Sequence, residues 1–329
     1  VMNTFQALVL DKVNDQTQLE VRQLSMDDLP DGEVTIRVSY SSVNYKDGFV
    51  TMRNWGVTSY PLVPGIDLAG TIIDSVDERF KVGDEVIVTS YALGTGHFGG
   101  YSEIARVPAK WVVPLPKGLS LREAMILGTA GFTAALSVQR LEDNGLDPSQ
   151  GLVLVSGATG GVGSIAVNIL AKRGYEVVAS TGKTNEEDYL KKIGAKQILH
   201  RNDIIDTDQI QMREEKWAGA IDSVGGKTLQ YILSTLKYGG SVATSGLTGG
   251  IDVATSVYPF IVRGINWLGV DSVECPMPTR LKVWNRLGDD LKPTILNEEL
   301  VNEISLTELP EVLATTLEGK GRGRTLVKL

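Results

Sequence analysis

The chain has one cysteine, Cys275, and two histidines, His97 and His200, among 329 residues. A single cysteine excludes an intramolecular disulfide and fits a reducing cytoplasm. Pro276 and Pro278 follow it, which predicts a surface loop rather than a catalytic thiol. Two imidazoles leave little nitrogen for a metal. No long basic run occurs and the formal charge is −8, which argues against nucleic acid or an anionic membrane as the partner. No apolar run reaches membrane-spanning length, and no basic-then-apolar leader is expected; Val1 ahead of Met2 reads as a remnant. Internal repeats and low-complexity segments are missing too. What is there, 42% hydrophobic residues and 36 glycines, describes a loop-rich globular protein whose length favours two domains.

The first third alternates short apolar runs with turns. Ala7–Leu10, Val34–Val38, Gly70–Ile73, Glu85–Val88 and Tyr101–Ala105 read as strands, with turn signals at Pro30-Asp31-Gly32 and Val82-Gly83-Asp84. No long amphipathic helix interrupts them, so a small barrel or folded sheet is expected. Helical patterns start at Ser120–Met125 and continue over Gly128–Val138, and a polar connection is expected over Leu141–Gln150.

From Leu152 the period changes. Leu152–Val155 is the apolar run of a buried parallel strand. Gly157, Gly160 and Gly163 follow at GxxGxxG spacing with Gly161 as an extra, and a helix is expected from Ser164 to Lys172-Arg173-Gly174. A second strand, Val177–Ala179, completes the strand–loop–helix–strand unit in which glycines let backbone approach a pyrophosphate at a helix N-terminus. Then come a helix Glu186–Ile193, strands Gln197–Leu199 and Ala220–Asp222, a helix Thr228–Lys237 striped by Leu229, Ile232, Leu233 and Leu236, and strands Ser241–Ser245 and Ile265–Val270. The expected fold is α/β: a doubly wound parallel sheet of about six strands, plus the β-rich part. The tail reads helix Thr279–Leu291, strand Glu303–Leu306, helix Leu309–Leu317 and strand Thr325–Leu329. It is too small for a domain, so it is expected to return to the β-rich part.

An NAD-preferring site has an acidic residue at the end of the second strand. Here that position falls in Ala179-Ser180-Thr181-Gly182-Lys183, which has no carboxylate. Hydroxyls with Lys183 suit a 2′-phosphate, and Arg201 adds a second cation; each alone also reads as solvated surface charge, but together they predict NADPH.

PGIDLAG (Pro64–Gly70), VGDEV (Val82–Val86), GGYSE (Gly99–Glu103) and GTAGFTA (Gly128–Ala134) precede the nucleotide fold in that order. The whole chain resembles the medium-chain dehydrogenase/reductases. SSVNYKDG (Ser41–Gly48), PFIVRGINWLGVDSV (Pro259–Val273) and GRTLVKL (Gly323–Leu329) resemble the zinc-independent quinone oxidoreductase-like branch, which includes NADPH-dependent acrylyl-CoA reductases. The resemblance implies a GroES-like catalytic domain over 1–125 and 275–329, discontinuous in sequence, and an NADPH-binding Rossmann domain over 126–274. It implies cofactor contacts at Tyr45, Thr159, Gly160, Gly161, Val162, Thr181, Gly182, Lys183, Arg201, Leu247, Ile261 and Ser272. Zinc-dependent relatives have a cysteine where this chain has Asn44, a His-Glu pair where it has Ile66-Asp67, and four clustered cysteines that it lacks. No metal is expected.

Without zinc the natural task is hydride delivery to an activated acceptor, either an α,β-unsaturated thioester or a quinone. Charge developing on a thioester oxygen needs donors, and a proton must reach the α-carbon. Asn44 and Tyr45 are the candidate donors and Asp47 the residue to orient either one; Asn and Asp are also ordinary turn residues. His97 falls in a glycine-rich loop and is not assigned a role. Arg263 has two open roles, a phosphate contact or a helix cap. The readings are an NADPH-dependent reductase of short enoyl-CoA thioesters, an NADPH:quinone oxidoreductase, and an NADPH-binding sensor or scaffold with little turnover. Ile265–Val270, apolar and without proline at a sheet edge, predicts a homodimer, as in relatives.

Overall fold

A computed structural model describes residues 3–297 and 299–329; Val1 and Met2 lie outside them. The chain forms two compact units. One takes the chain up to Thr129 with Ser272–Asp290 and Leu300–Leu329, and the other holds Ala130–Asp271 and Leu291–Glu299.

The first unit opens with a hairpin, β1 (Thr4–Val13) against β2 (Gln16–Ser25). Asn14 and Asp15 turn it, both at positive φ, as a two-residue hairpin loop requires. β2 was not expected: in its largely polar QTQLEVRQLS the apolar alternation is limited to Leu19 and Val21. β3 (Val34–Val43) alternates Val34, Ile36 and Val38 into the core. α1 (Tyr45–Arg53), also unexpected, follows, and then β4 (Asp67–Ser75), β5 (Glu85–Thr89), β6 (Ile104–Val107) and β7 (Val113–Pro114). The strand expected over Tyr101–Ala105 is β6 and begins at Ile104 rather than Tyr101, whose buried ring sends its hydroxyl to the Ser42 carbonyl at 3.0 Å.

α2 (Leu121–Asp143) breaks at Gly128 and runs through the first residues of the expected polar connection. The second unit then alternates β8 (Leu152–Val155), α3 (Gly161–Lys172), β9 (Glu176–Thr181), α4 (Glu187–Ile193), β10 (Gln197–His200), β11 (Trp217–Asp222), α5 (Gly226–Thr235), β12 (Leu236–Thr244), α6 (Tyr258–Arg263) and β13 (Asn266–Gly269). Its six strands are all parallel, in the order β10-β9-β8-β11-β12-β13, which is the doubly wound order with its switch point beside β8. α5 stops at Thr235, short of the expected Lys237. Ser234 and Thr235 hydroxyls bond back to the Tyr231 carbonyl, and Leu236 enters extended backbone as the first residue of β12.

The tail contributes α7 (Met277–Leu287), β14 (Val301–Ser305), α8 (Leu309–Thr316) and β15 (Arg324–Lys328). β15 lies antiparallel on β3, with Thr325 opposite Val43, so the first unit's sheet runs β14-β15-β3-β4-β5-β7 with β6 beside β3. Cys275 does not sit in a surface loop: it is 4% exposed. Arg280, itself buried, clamps this segment by donating to the carbonyls of Ser272, Val273, Cys275 and Thr89.

Candidate active site

In the second unit the loop from β8 to α3 is shaped by close backbone approach. A Cβ on Gly163 would lie 2.3 Å from the Gly157 carbonyl oxygen, so α3 can reach the loop only with glycine there. Gly157 has φ +56, which favours glycine. A Cβ at Gly160, the N-cap, would meet only the Gly157 oxygen, at 3.4 Å. α3 begins at Gly161 and has no acidic residue in its first turn, so its first N–H groups and positive end suit an anion. At the end of β9 the Ser180 Oγ is buried with no hydrogen-bond partner among the described residues. Thr159 Oγ1 lies 3.4 Å from Thr181 Oγ1, which accepts from the Lys183 N–H at 3.1 Å. A Cβ on Gly182 would fall within 3.0 Å of the Arg201 guanidinium carbon, so that side chain lies across the glycine. These features fit a pyrophosphate and a phosphorylated ribose.

Leu247 and Ile261 are exposed on the same unit, and Ile261 sits on α6. Tyr45 and Ser272 belong to the first unit. Arg263 caps: it donates to the carbonyls of Ser234, at the end of α5, and of Arg213. Sequence reasoning gave Ser156 and Asp222 no role, yet Ser156 Oγ donates to Asp222 at 2.5 Å, and Asp222 also accepts the N–H groups of Val224 and Gly225. Burial pushes the Asp222 carboxyl up, against those hydrogen bonds.

In the first unit Asn44 is the N-cap of α1 and Asp47 its third residue, a reciprocal capping pair. Asp47 Oδ2 accepts from the Asn44 N–H at 2.8 Å and its amide Nδ2 at 3.2 Å, and Oδ1 accepts from the Ile66 N–H at 3.0 Å. Asp67 Oδ2 accepts from Asn44 Nδ2 at 2.8 Å, Ser42 Oγ at 2.9 Å and the Thr129 N–H at 2.9 Å, and its Oδ1 takes the Thr129 hydroxyl at 2.5 Å. Arg324 closes the group from β15, with Nε on the Ile126 carbonyl and Nη1 on the Val43 carbonyl and Asn44 Oδ1. Burial, then the neighbouring Asp67 charge, pushes the Asp47 carboxyl up to about 7.

Both amide hydrogens of Asn44 thus point at carboxylates, and Asp47 orients Asn44 rather than Tyr45. Tyr45 is 36% exposed; its ring meets Phe49 edge-on at 5.0 Å, and its hydroxyl makes no hydrogen bond among the described residues. In its glycine-rich loop His97 is held in place: its Nε2 lies 2.7 Å from the Arg106 carbonyl, its ring packs on Trp111, and burial lowers its pKa. Sequence reasoning quoted the motifs of Asp67, Thr129 and Arg324 but gave none of the three a site role.

Zinc does not fit here. The positions at issue are an amide, an apolar side chain and a carboxylate, and the amide and carboxylate bond each other. Among the described residues no group of three or more His, Cys, Asp or Glu could hold a metal.

Residues 30–117 match the family model of the alcohol dehydrogenase GroES-like domain, and residues 161–284 that of the zinc-binding dehydrogenase. The chain belongs to the medium-chain dehydrogenase/reductases. Within that family it is 50% identical to acrylyl-CoA reductase AcuI of Ruegeria pomeroyi, over 98% of both chains. It is 53% identical to YhfP of Bacillus subtilis, which carries a quinone oxidoreductase name; that structure, with NAD bound, aligns over 100% of both chains at TM-score 0.97. The YhdH oxidoreductase of Salmonella enterica, solved with NADP, is 45% identical at TM-score 0.95 over 98% of this chain and 99% of its own.

Proposed function

We propose that the chain is a zinc-independent, NADPH-dependent reductase of short α,β-unsaturated acyl-CoA thioesters, converting acrylyl-CoA to propionyl-CoA. The polar network at Asn44 carries this reading. Two of the positions that zinc-dependent relatives use as ligands, Asn44 and Asp67, are bonded to one another here, so the acceptor must arrive already activated, as an enoyl thioester does. Full-length similarity to an acrylyl-CoA reductase supports it.

The N–H groups of Gly160 to Val162 would hold the NADPH pyrophosphate, and Thr181, Gly182, Lys183 and Arg201 the 2′-phosphate end, with Thr159, Leu247, Ile261 and Ser272 as further contacts. When bound, NADPH supplies the hydride that the β-carbon gains. The Tyr45 hydroxyl donates to the thioester oxygen as charge builds there and passes on the proton that the α-carbon gains. Asn44 and Asp47 hold the turn from which Tyr45 projects; Asn44 lends its amide to substrate only by releasing a carboxylate.

NADPH oxidation with acrylyl-CoA, longer enoyl-CoAs and several quinones tests the reading. The highest kcat/KM is expected for acrylyl-CoA; a higher value for any quinone would replace this reading with a quinone oxidoreductase, which the name of YhfP favours. A homodimer built on β13 belongs to the same proposal, as does a cytoplasmic location, which a chain with a single cysteine suits. No helix among the described residues is long and apolar enough to cross a membrane.

A further inference from the structure

Coenzyme A joins its thioester, through a flexible pantetheine arm, to an adenosine bearing phosphates at its 3′ and 5′ positions. Recognition needs cations for the phosphates and an exposed aromatic face for the adenine or the arm. α1 offers both, starting at the residue proposed as the proton donor. Tyr45, Phe49 and Arg53 follow one another at i, i+4 and i+8, with Met52 beside them, and so share one face of the helix. Arg53 lies over the Phe49 ring at 5.3 Å. At the helix end Asn54 adopts the left-handed conformation, and the Trp55 N–H bonds back to the Phe49 carbonyl. This turn brings the indole to Lys46, whose Nζ lies 5.5 Å from its centroid.

The opposite face of α1 is packed. Asp47, Gly48, Val50 and Thr51 are buried, and a Cβ on Gly48 would touch Leu317 just beyond α8. Trp55 is nevertheless 58% exposed and Met52 40%. Between Tyr45 and Pro64, in a chain of formal charge −8, the one acidic residue is Asp47, which is buried under the helix. The charges other than Asp47 that α1 itself contributes, Lys46 and Arg53, are both positive.

We propose that this face of α1, closed by Trp55, holds the coenzyme A arm of the substrate. The inference rests on the acyl-CoA reading above and extends it to the part of the substrate remote from the reacting carbons. Lys46 and Arg53 meet the phosphates, and the Trp55 and Met52 side chains cover the arm or the adenine.

The test compares acrylyl-CoA with acrylyl-N-acetylcysteamine, the same thioester without the nucleotide, in the unmodified protein and in the variant Lys46→Glu, Arg53→Glu, Trp55→Ala. The unmodified protein is expected to prefer acrylyl-CoA by about 30-fold in kcat/KM, and the variant by less than about 3-fold, the loss of two or three contacts of this type. A variant that keeps the full preference overturns the inference. An unmodified protein that reduces both thioesters equally well also overturns it and leaves the acyl-CoA reading standing. Failure to reduce either thioester overturns that reading, and the inference with it. Should the triple variant not fold, Trp55→Ala alone is expected to raise KM for acrylyl-CoA about 5-fold. Adenosine 3′,5′-bisphosphate is expected to inhibit the unmodified protein in competition with acrylyl-CoA; competition with NADPH alone would overturn the inference.

Discussion

Asp47 has no exposed surface, and its charge is opposed by burial first and by Asp67 second, so its carboxyl rises from an ordinary 3.8 to about 7. The folded chain thus binds this proton more tightly than the unfolded chain. The resulting stability is fully present below pH 4 or so and is lost as pH rises towards 7. Asp47→Asn has no such titration. The melting temperature of the unmodified protein minus that of Asp47→Asn is therefore expected to fall between pH 4.5 and 7; a constant difference across ~pH 4.5–7 would remove the claim. Tyr45 is the contrasting case, since its hydroxyl makes no hydrogen bond among the described residues. Tyr45→Phe keeps the edge-on contact with Phe49 and should leave the melting temperature unchanged. Its kcat/KM with acrylyl-CoA should drop by ~10- to 100-fold, the usual contribution of a positioned proton donor. A loss below about 2-fold would move that role to another group.

Among the elements, those with a strong period or a full set of punctuation were legible in advance. α5 showed its stripe through Leu229, Ile232 and Leu233, and the glycine motif lay between two apolar runs. α1 was not seen because nine residues containing Gly48 and three charges have little apolar period, although Asn44 and Asp47 stand at capping-box spacing. The break in α2 was invisible for another reason: it depends on partners far away in sequence. Gly128 has φ +54, and a Cβ there would come within 2.8 Å of Asp67 Oδ2, Ser42 Oγ and Arg324 Nη2 together. Gly128→Ala should therefore disrupt the seat of Asp67 and cost ~2–4 kcal/mol, read from urea unfolding. Gly163→Ala acts in the other unit. Its methyl would force α3 away from Gly157, so NADPH affinity, followed by the cofactor's own fluorescence, should weaken by about 10-fold or more. An unchanged Kd would mean that the loop is not the pyrophosphate seat.

At the scale of the molecule, the return of the tail to the β-rich part followed from its small size, but the strand it joins did not. Pairing of Thr325 with Val43 leaves no local trace, nor does the contact that Arg324 makes with Asn44. The end of the second unit's sheet was easier to foresee, because a sixth apolar strand in a doubly wound order must be terminal. β13 pairs only with β12 among the described residues, and its Trp267 is 41% exposed. On α6, just before it, Tyr258 and Val262 are exposed as well. An apolar edge without proline, flanked by exposed apolar side chains, is the kind of surface that monomers avoid and a second copy of the chain covers. Light scattering of the unmodified protein is accordingly expected to give twice the chain mass. Trp267→Glu would place a charge at that edge without touching the glycine loop, and should shift the species towards the single-chain mass. A monomer before any substitution would leave those side chains without the proposed cover, and the dimer would have to be given up.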